Sequence, residues 1–124
     1  MNAIVVDDSR AMRTLLRRTL VEFGYVVEEA CDGVDALEKV GGLDGLGLAL
    51  VDWNMPRMDG LELIKQLRAE SRFAGLPIVM VTSETEIERV RAALAAGASE
   101  FVMKPFTADI LRAKLEHLGL PTAA

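Results

Sequence analysis

The sequence predicts an α/β fold in which a parallel sheet carries helices on both faces. Two observations carry that expectation. Short apolar runs rich in β-branched residues recur along the chain, apolar at every position instead of every second one, which is the pattern of strands covered on both sides. Between them lie apolar stripes at helical spacing, so that strand and helix alternate five times.

Ala3-Ile4-Val5-Val6, Leu46 to Val51 and Ile78-Val79-Met80-Val81 are the strong runs. Tyr25-Val26-Val27 and Phe101-Val102-Met103 are weaker and are expected at the sheet edges. Met12, Leu15, Leu16, Thr19, Leu20 and Phe23 form the stripe of the first helix, with Gly24 as the residue that ends it. Val34, Leu37 and Val40 mark a second helix, and Leu63, Ile64 and Leu67 a third. Thr85-Glu86-Ile87-Glu88 has the form of a capping box opening a fourth, with Val90 and Leu94 turned inward and Gly97 closing it. Thr107 caps a fifth, where Phe106 is placed to staple onto Leu111, and Leu115 and Leu118 continue the face. The tail Pro121-Thr122-Ala123-Ala124 is expected to fray.

The 124 residues suit a single domain, residues 1–124, with no output domain after it. Half of them, 51%, are hydrophobic, enough for a core, yet no run approaches the roughly 18 residues of a membrane span. No signal peptide precedes the first strand, and the one cysteine, Cys31, has no partner for a disulfide; both suggest the cytoplasm. Cys31 itself is expected to be a small buried residue. A net charge of −5 argues against nucleic acid as a partner, because phosphate backbones need a basic face.

Ligands of such sheets bind beyond the carboxyl ends of the strands. Asp7-Asp8 ends the first strand, Asp52 the third, Thr82-Ser83 the fourth, and Met103-Lys104-Pro105 the fifth. Any one of these has an ordinary explanation: a turn aspartate, a helix cap at Asp8 or Ser9, a solvated lysine. Their coincidence at one edge points to a site. Clustered carboxylates repel, and burial disfavours their charge, so a compensating cation is expected. An all-oxygen set without a His/Cys cluster suits Mg²⁺ and disfavours zinc. Asp8 and Asp52 suit direct ligation, Asp7 a direct or water-mediated contact, and the Asn54 carbonyl is the best-placed backbone donor. A carboxylate is also a nucleophile toward phosphorus. Asp52 is therefore the candidate acceptor, with Mg²⁺ on one side, Lys104 on the other, and the Thr82 hydroxyl as a donor to a phosphoryl oxygen.

The segments VVDDS, LVDWNMPRMDG, MVTSE and FVMKPF resemble the receiver domains of two-component response regulators. DWNMP, MDGLEL, EEACDGVDAL and KPFTA are most similar to the single-domain chemotaxis regulators within that family. The resemblance spans essentially the whole chain. It implies a flavodoxin-like, doubly wound (βα)5 sheet of strand order 2-1-3-4-5. It also implies that Asp52 accepts its phosphoryl group from a histidine kinase or a small donor such as acetyl phosphate, with Mg²⁺ held by Asp7, Asp8, Asp52 and Asn54. Lys104 would pair with the phosphoryl group, and its bond to Pro105 would be cis. Thr82 and Phe101 would form the switch, and Asn54 and Glu84 would tune dephosphorylation. Such a protein is a monomeric phosphoacceptor and not a turnover enzyme. Its phosphorylated face (fourth helix, fifth strand and fifth helix, with Ile87, Val90, Met103 and Lys114 as contributors) binds a target such as the flagellar motor switch. A relay or phosphate-sink role, or a place within a larger regulator, is the alternative.

Two features separate the chain from other classes. An aspartate-nucleophile phosphatase wants a second acid two residues after the nucleophile, where this chain has Asn54. A flavin-binding module wants a phosphate-binding loop after the first strand, which is lacking. Phe101 stands where the chemotaxis regulators usually have tyrosine, so a hydroxyl bond from that position is absent. Trp53 is expected to be a partly exposed neighbour of the site, and His117 a surface residue.

Overall fold

The computed structural model describes residues 1–83 and 87–123. Its strands are β1 (Asn2–Val6), β2 (Val26–Ala30), β3 (Leu46–Val51), β4 (Ile78–Thr82) and β5 (Glu100–Met103). The helices are α1 (Arg10–Glu22), α2 (Gly33–Val40), α3 (Gly60–Ala69), α4 (Ile87–Ala96) and α5 (Ala108–His117). The five strands pair in parallel in the order β2-β1-β3-β4-β5, the flavodoxin-like order.

The period-two geometry of the strands divides the core. Ile4, Val6, Ala49, Val51, Ile78 and Met80 face one way and pack on Ala36, Val40, Leu63, Ile64, Leu67 and Ala93 of α2, α3 and α4. Ala3, Val5, Leu48, Leu50, Val79, Val81 and Val102 face the other way onto Leu16, Leu20, Leu111 and Leu115 of α1 and α5. Both faces of β1, β3 and β4 are covered, which is why those strands are apolar throughout.

Helix starts follow from local chemistry. Ser9, Asp32, Asp59 and Thr107 each accept a backbone N–H three residues on, capping α1, α2, α3 and α5. Gly24 and Gly97, after α1 and α4, have φ of +97° and +117°, a conformation glycine adopts without strain. The sequence gives no sign of how α4 is anchored at its far end. Arg68 of α3 donates from Nε and Nη2 to the Gly97 carbonyl (2.9 and 2.7 Å) and from Nη1 to that of Phe73 (2.7 Å).

Several expectations are corrected. β2 begins at Val26 and runs on through Glu28 and Glu29, charges tolerated because the strand is an edge: Glu29 pairs with Arg13 and Arg17, and Glu28 with Lys39. Leu15 and Leu94 are exposed, and on α4 the side chain turned inward is Ala93. Cys31 is exposed, since the chain leaves the sheet just before it. The tail is tied down: the Tyr25 hydroxyl donates to the Pro121 carbonyl at 2.8 Å, and Thr122 is buried. Among the described residues no helix is long and apolar enough to cross a membrane. The Thr85-Glu86 part of the capping box, and Glu84, lie outside the described residues.

Candidate functional site

The sheet ladder carries on one residue past each strand, and this positions the site. The backbone N–H of Asp7 donates to Ala30 (3.1 Å), that of Asp52 to Val6 (2.9 Å) and that of Lys104 to Thr82 (2.8 Å). β1, β3 and β5, the last separated from β3 by β4, thus deliver Asp7, Asp52 and Lys104 at the same carboxyl edge. Asp8 follows from β1, and Thr82 closes β4.

Asp7 and Asp52 are buried and Asp8 is exposed, and one carboxylate oxygen from each lies within 4.8 Å of the others. Asp7 is held from both sides: Oδ1 accepts the Ser9 N–H at 2.8 Å, and Oδ2 accepts the Lys104 ammonium at 3.0 Å. Arg13, itself braced by Glu29, donates to the Asp7 carbonyl at 2.7 Å. The Lys104 ammonium lies 3.4 Å from Asp52 Oδ1, and the Lys104–Pro105 bond is cis. Thr82 is 2% exposed, so its hydroxyl lies inside the sheet edge and not on the surface.

Burial first, and then the negative charge of Asp7, push the Asp52 carboxyl up to about 6 against the opposing pull of Lys104. One ammonium shared between two buried carboxylates leaves negative charge without compensation, which makes the cluster an attractive place for a cation.

The loop from Asp52 to α3 is compact. The Gly60 N–H donates to the Trp53 carbonyl at 2.9 Å. A Cβ on Gly60 would run into the Asp52 carbonyl oxygen and sit 3.1 Å from Trp53 Cα, so glycine is required there by backbone approach. Trp53, expected to be partly exposed, is buried at 8% exposure in the core beneath α3, with the Arg89 guanidinium of α4 over its ring at 5.6 Å. Asn54 is exposed at the mouth of the site.

Strand register relates Thr82 to Phe101. Phe101 pairs with Met80, two residues before Thr82, so the aromatic ring and the hydroxyl follow one another along the same face of the sheet. Phe101 is half-buried, and the Lys114 ammonium sits 5.1 Å from its ring centre while also pairing with Glu100 at 3.4 Å. On the same flank Ile87 is exposed, and Val90 and Met103 are half-buried. His117 is exposed near the end of α5. Sequence reasoning missed the bracing by Arg13, the cover of Arg89 over Trp53 and a bidentate pair between Arg57 and Asp32. The last two join residues distant in the chain, the Arg13 bond to Asp7 spans six residues, and none follows a local pattern.

Residues 3–116 match the response regulator receiver domain family. The chemotaxis protein CheY1 of Helicobacter pylori is 44% identical over 94% of both chains. The CheY homologue of Campylobacter jejuni is 43% identical over 95% of this chain and 92% of its own. Among solved structures, the chemotaxis response regulator CheY4 of Vibrio cholerae superposes with a TM-score of 0.87 at 36% identity, covering 94% of this chain and 97% of that one. With the strand order and the acidic edge already described, these matches identify the chain as a member of the response regulator receiver family, similar to the CheY chemotaxis regulators.

Proposed function

We propose that the chain is a single-domain phosphoacceptor, residues 1–124, in which Asp52 takes a phosphoryl group from a histidine kinase or from acetyl phosphate. The observation that carries the reading is the juxtaposition of three carboxylates, their oxygens within 4.8 Å, with an ammonium 3.4 Å from Asp52.

The donor set fits a hard divalent cation: it offers only oxygen and carries an excess of negative charge. Asp7, Asp8, Asp52 and the Asn54 carbonyl would hold Mg²⁺, which when bound neutralises charge on the transferring phosphoryl group. The chain's own residues do the remainder. An Asp52 carboxylate oxygen attacks phosphorus, an O–P bond forms, and the P–N bond of a phosphohistidine, or the P–O bond of acetyl phosphate, breaks. Lys104 swings its pairing from Asp52 to a phosphoryl oxygen, and the Thr82 hydroxyl donates to another. Such transfers depend on positioning and charge more than on proton movement. Asn54 at the mouth of the site, and Glu84, would tune the water attack that removes the group.

The added charge of about −1.5 to −2 then acts on the elements nearest to it. Thr82 moves toward the phosphoryl group, and Phe101 follows into the space behind it. The flank of α4, β5 and α5 changes shape and binds a target. The likeness to chemotaxis regulators supports a role in motility control, with a chemotaxis histidine kinase as donor and the flagellar motor switch or another signalling protein as target, in the cytoplasm. The protein on this reading is a monomeric signal carrier and not a turnover enzyme.

Intact-mass spectrometry after incubation with acetyl phosphate and Mg²⁺ tests the reading. A single phosphoryl adduct on the native chain, absent from Asp52→Asn and from a sample with chelator, is expected. An unmodified native chain overturns it.

A further inference from the structure

We infer that Arg57 is a positioning residue for the metal and phosphoacceptor loop, acting through its pair with Asp32; the inference rests on the proposed Mg²⁺ and phosphoryl site. Arg57 lies in the loop that runs from Asp52 through Asn54 to α3. It stands at φ +64°, and the Met58 N–H donates to the Pro56 carbonyl at 2.7 Å around it. An i to i+2 bond about a residue at positive φ is the rarer and more strained form of γ-turn. Arginine has no intrinsic preference for that conformation, so something else must hold it there.

The holding groups come from α2. Arg57 Nε donates to Asp32 Oδ2 at 2.7 Å and Nη2 to Oδ1 at 3.1 Å, a two-point fork on a carboxylate whose side chain is only 4% exposed. Asp32 is itself fixed, since Oδ1 also caps α2 by accepting the Asp35 N–H at 2.8 Å. One residue on, the Gly33 N–H donates to the Met58 carbonyl at 3.2 Å. Gly33 has no side chain where the Met58 thioether packs; a Cβ there would approach Met58 Cγ to 2.7 Å. The N-terminus of α2 therefore grips the loop by an ion pair, a backbone bond and a close packing contact. At its other end the loop is closed by the bond from Gly60 to Trp53. What remains between these two fastenings is the segment bearing Asn54, whose carbonyl is the proposed backbone ligand.

The pair thus fixes where that carbonyl points relative to Asp7, Asp8 and Asp52. Groups that orient metal ligands in this way typically change affinity by about tenfold or more when removed.

The test uses the full chain and Mg²⁺ itself. Mg²⁺ is titrated against Trp53 fluorescence in the native protein, Arg57→Gly, Asp32→Asn and the double variant. Glycine accepts the positive φ without strain, and asparagine still caps α2, so both variants are expected to fold. Amide exchange at Met58 and Gly60 is followed without metal. The expected result is faster exchange and about tenfold weaker Mg²⁺ binding in each single variant, with no further loss in the double. Unchanged affinity in both single variants, beside a native chain that responds to Mg²⁺, overturns the inference and leaves the phosphoacceptor reading standing. Unchanged exchange overturns it as well. A native chain blind to Mg²⁺ overturns both.

Discussion

The Lys104 ammonium stands 3.4 Å from Asp52, yet Asp52 is still pushed up to about 6. Burial outweighs the lysine, the charge of Asp7 adds to it, and the ammonium itself lies closer to Asp7, at 3.0 Å. The site is held in a state of excess negative charge, and several measurable consequences follow from that imbalance.

Asp52 makes the metal-free protein less stable at neutral pH. Its carboxyl titrates near 6 in the fold against 3.8 ordinarily, so between those values the native state binds more protons than the unfolded chain. Stability from this group therefore falls as pH rises from about 4 to 6, and the penalty is complete above that. Asp52→Asn is expected to raise unfolding free energy at pH 7 by about 1–3 kcal/mol and to lose that advantage near pH 4, as read by denaturant melts across pH. Asp32 behaves oppositely. The Arg57 fork bonded to it holds it below the usual carboxylate range, so its contribution is present at neutral pH and lost as acid protonates it.

Lys104→Met removes the ammonium that lies between two buried carboxylates. The metal-free protein is expected to lose about 1–3 kcal/mol at pH 7, less at pH 5, where protonated Asp52 needs no partner. Mg²⁺ binding tightens, because an added cation no longer competes with the ammonium, while phosphorylation by acetyl phosphate slows. Trp53 fluorescence and adduct formation separate the two effects.

Gly60→Ala forces a Cβ into the Asp52 carbonyl, and backbone cannot step aside as a side chain can. The expected cost is about 1–3 kcal/mol in thermal or denaturant melts, with weaker Mg²⁺ binding because the displaced group is the main chain of Asp52.

Phe101→Ala leaves the acidic edge untouched but removes the ring that lies behind Thr82 on the same face and beneath Lys114. Phosphorylation by acetyl phosphate is expected to proceed at near the native rate. On the proposed switch, phosphorylation of the native chain is expected to change amide exchange over α4 and β5, and Phe101→Ala to shrink that change. An equal change in both proteins would show that the ring takes no part in the switch.

The strands and the acidic edge were legible in the sequence because both rest on local pattern. Apolar runs report burial on two faces, and a run that ends in a charge reports where the sheet ends. Leu94 and Leu15 were misassigned for a physical reason. Helical spacing marks a stripe but not its width, and the small Ala93 takes the inward position where α4 packs closely on α3. Trp53 was misplaced because its polar neighbours in DWNMP hide that Gly60 folds the loop back over it. The fork between Arg57 and Asp32 and the anchoring of Gly97 by Arg68 join residues far apart in the chain, the bracing of Asp7 by Arg13 spans six residues at no helical or strand spacing, and no periodicity encodes such contacts.

The most direct measurement is chemical trapping of the acyl phosphate. The protein is incubated with acetyl phosphate and Mg²⁺, reduced with borohydride, digested and mapped by mass spectrometry. Conversion of Asp52, and no other aspartate, to homoserine is the result this account predicts. Homoserine at Asp7 or Asp8, or none at all, would contradict it.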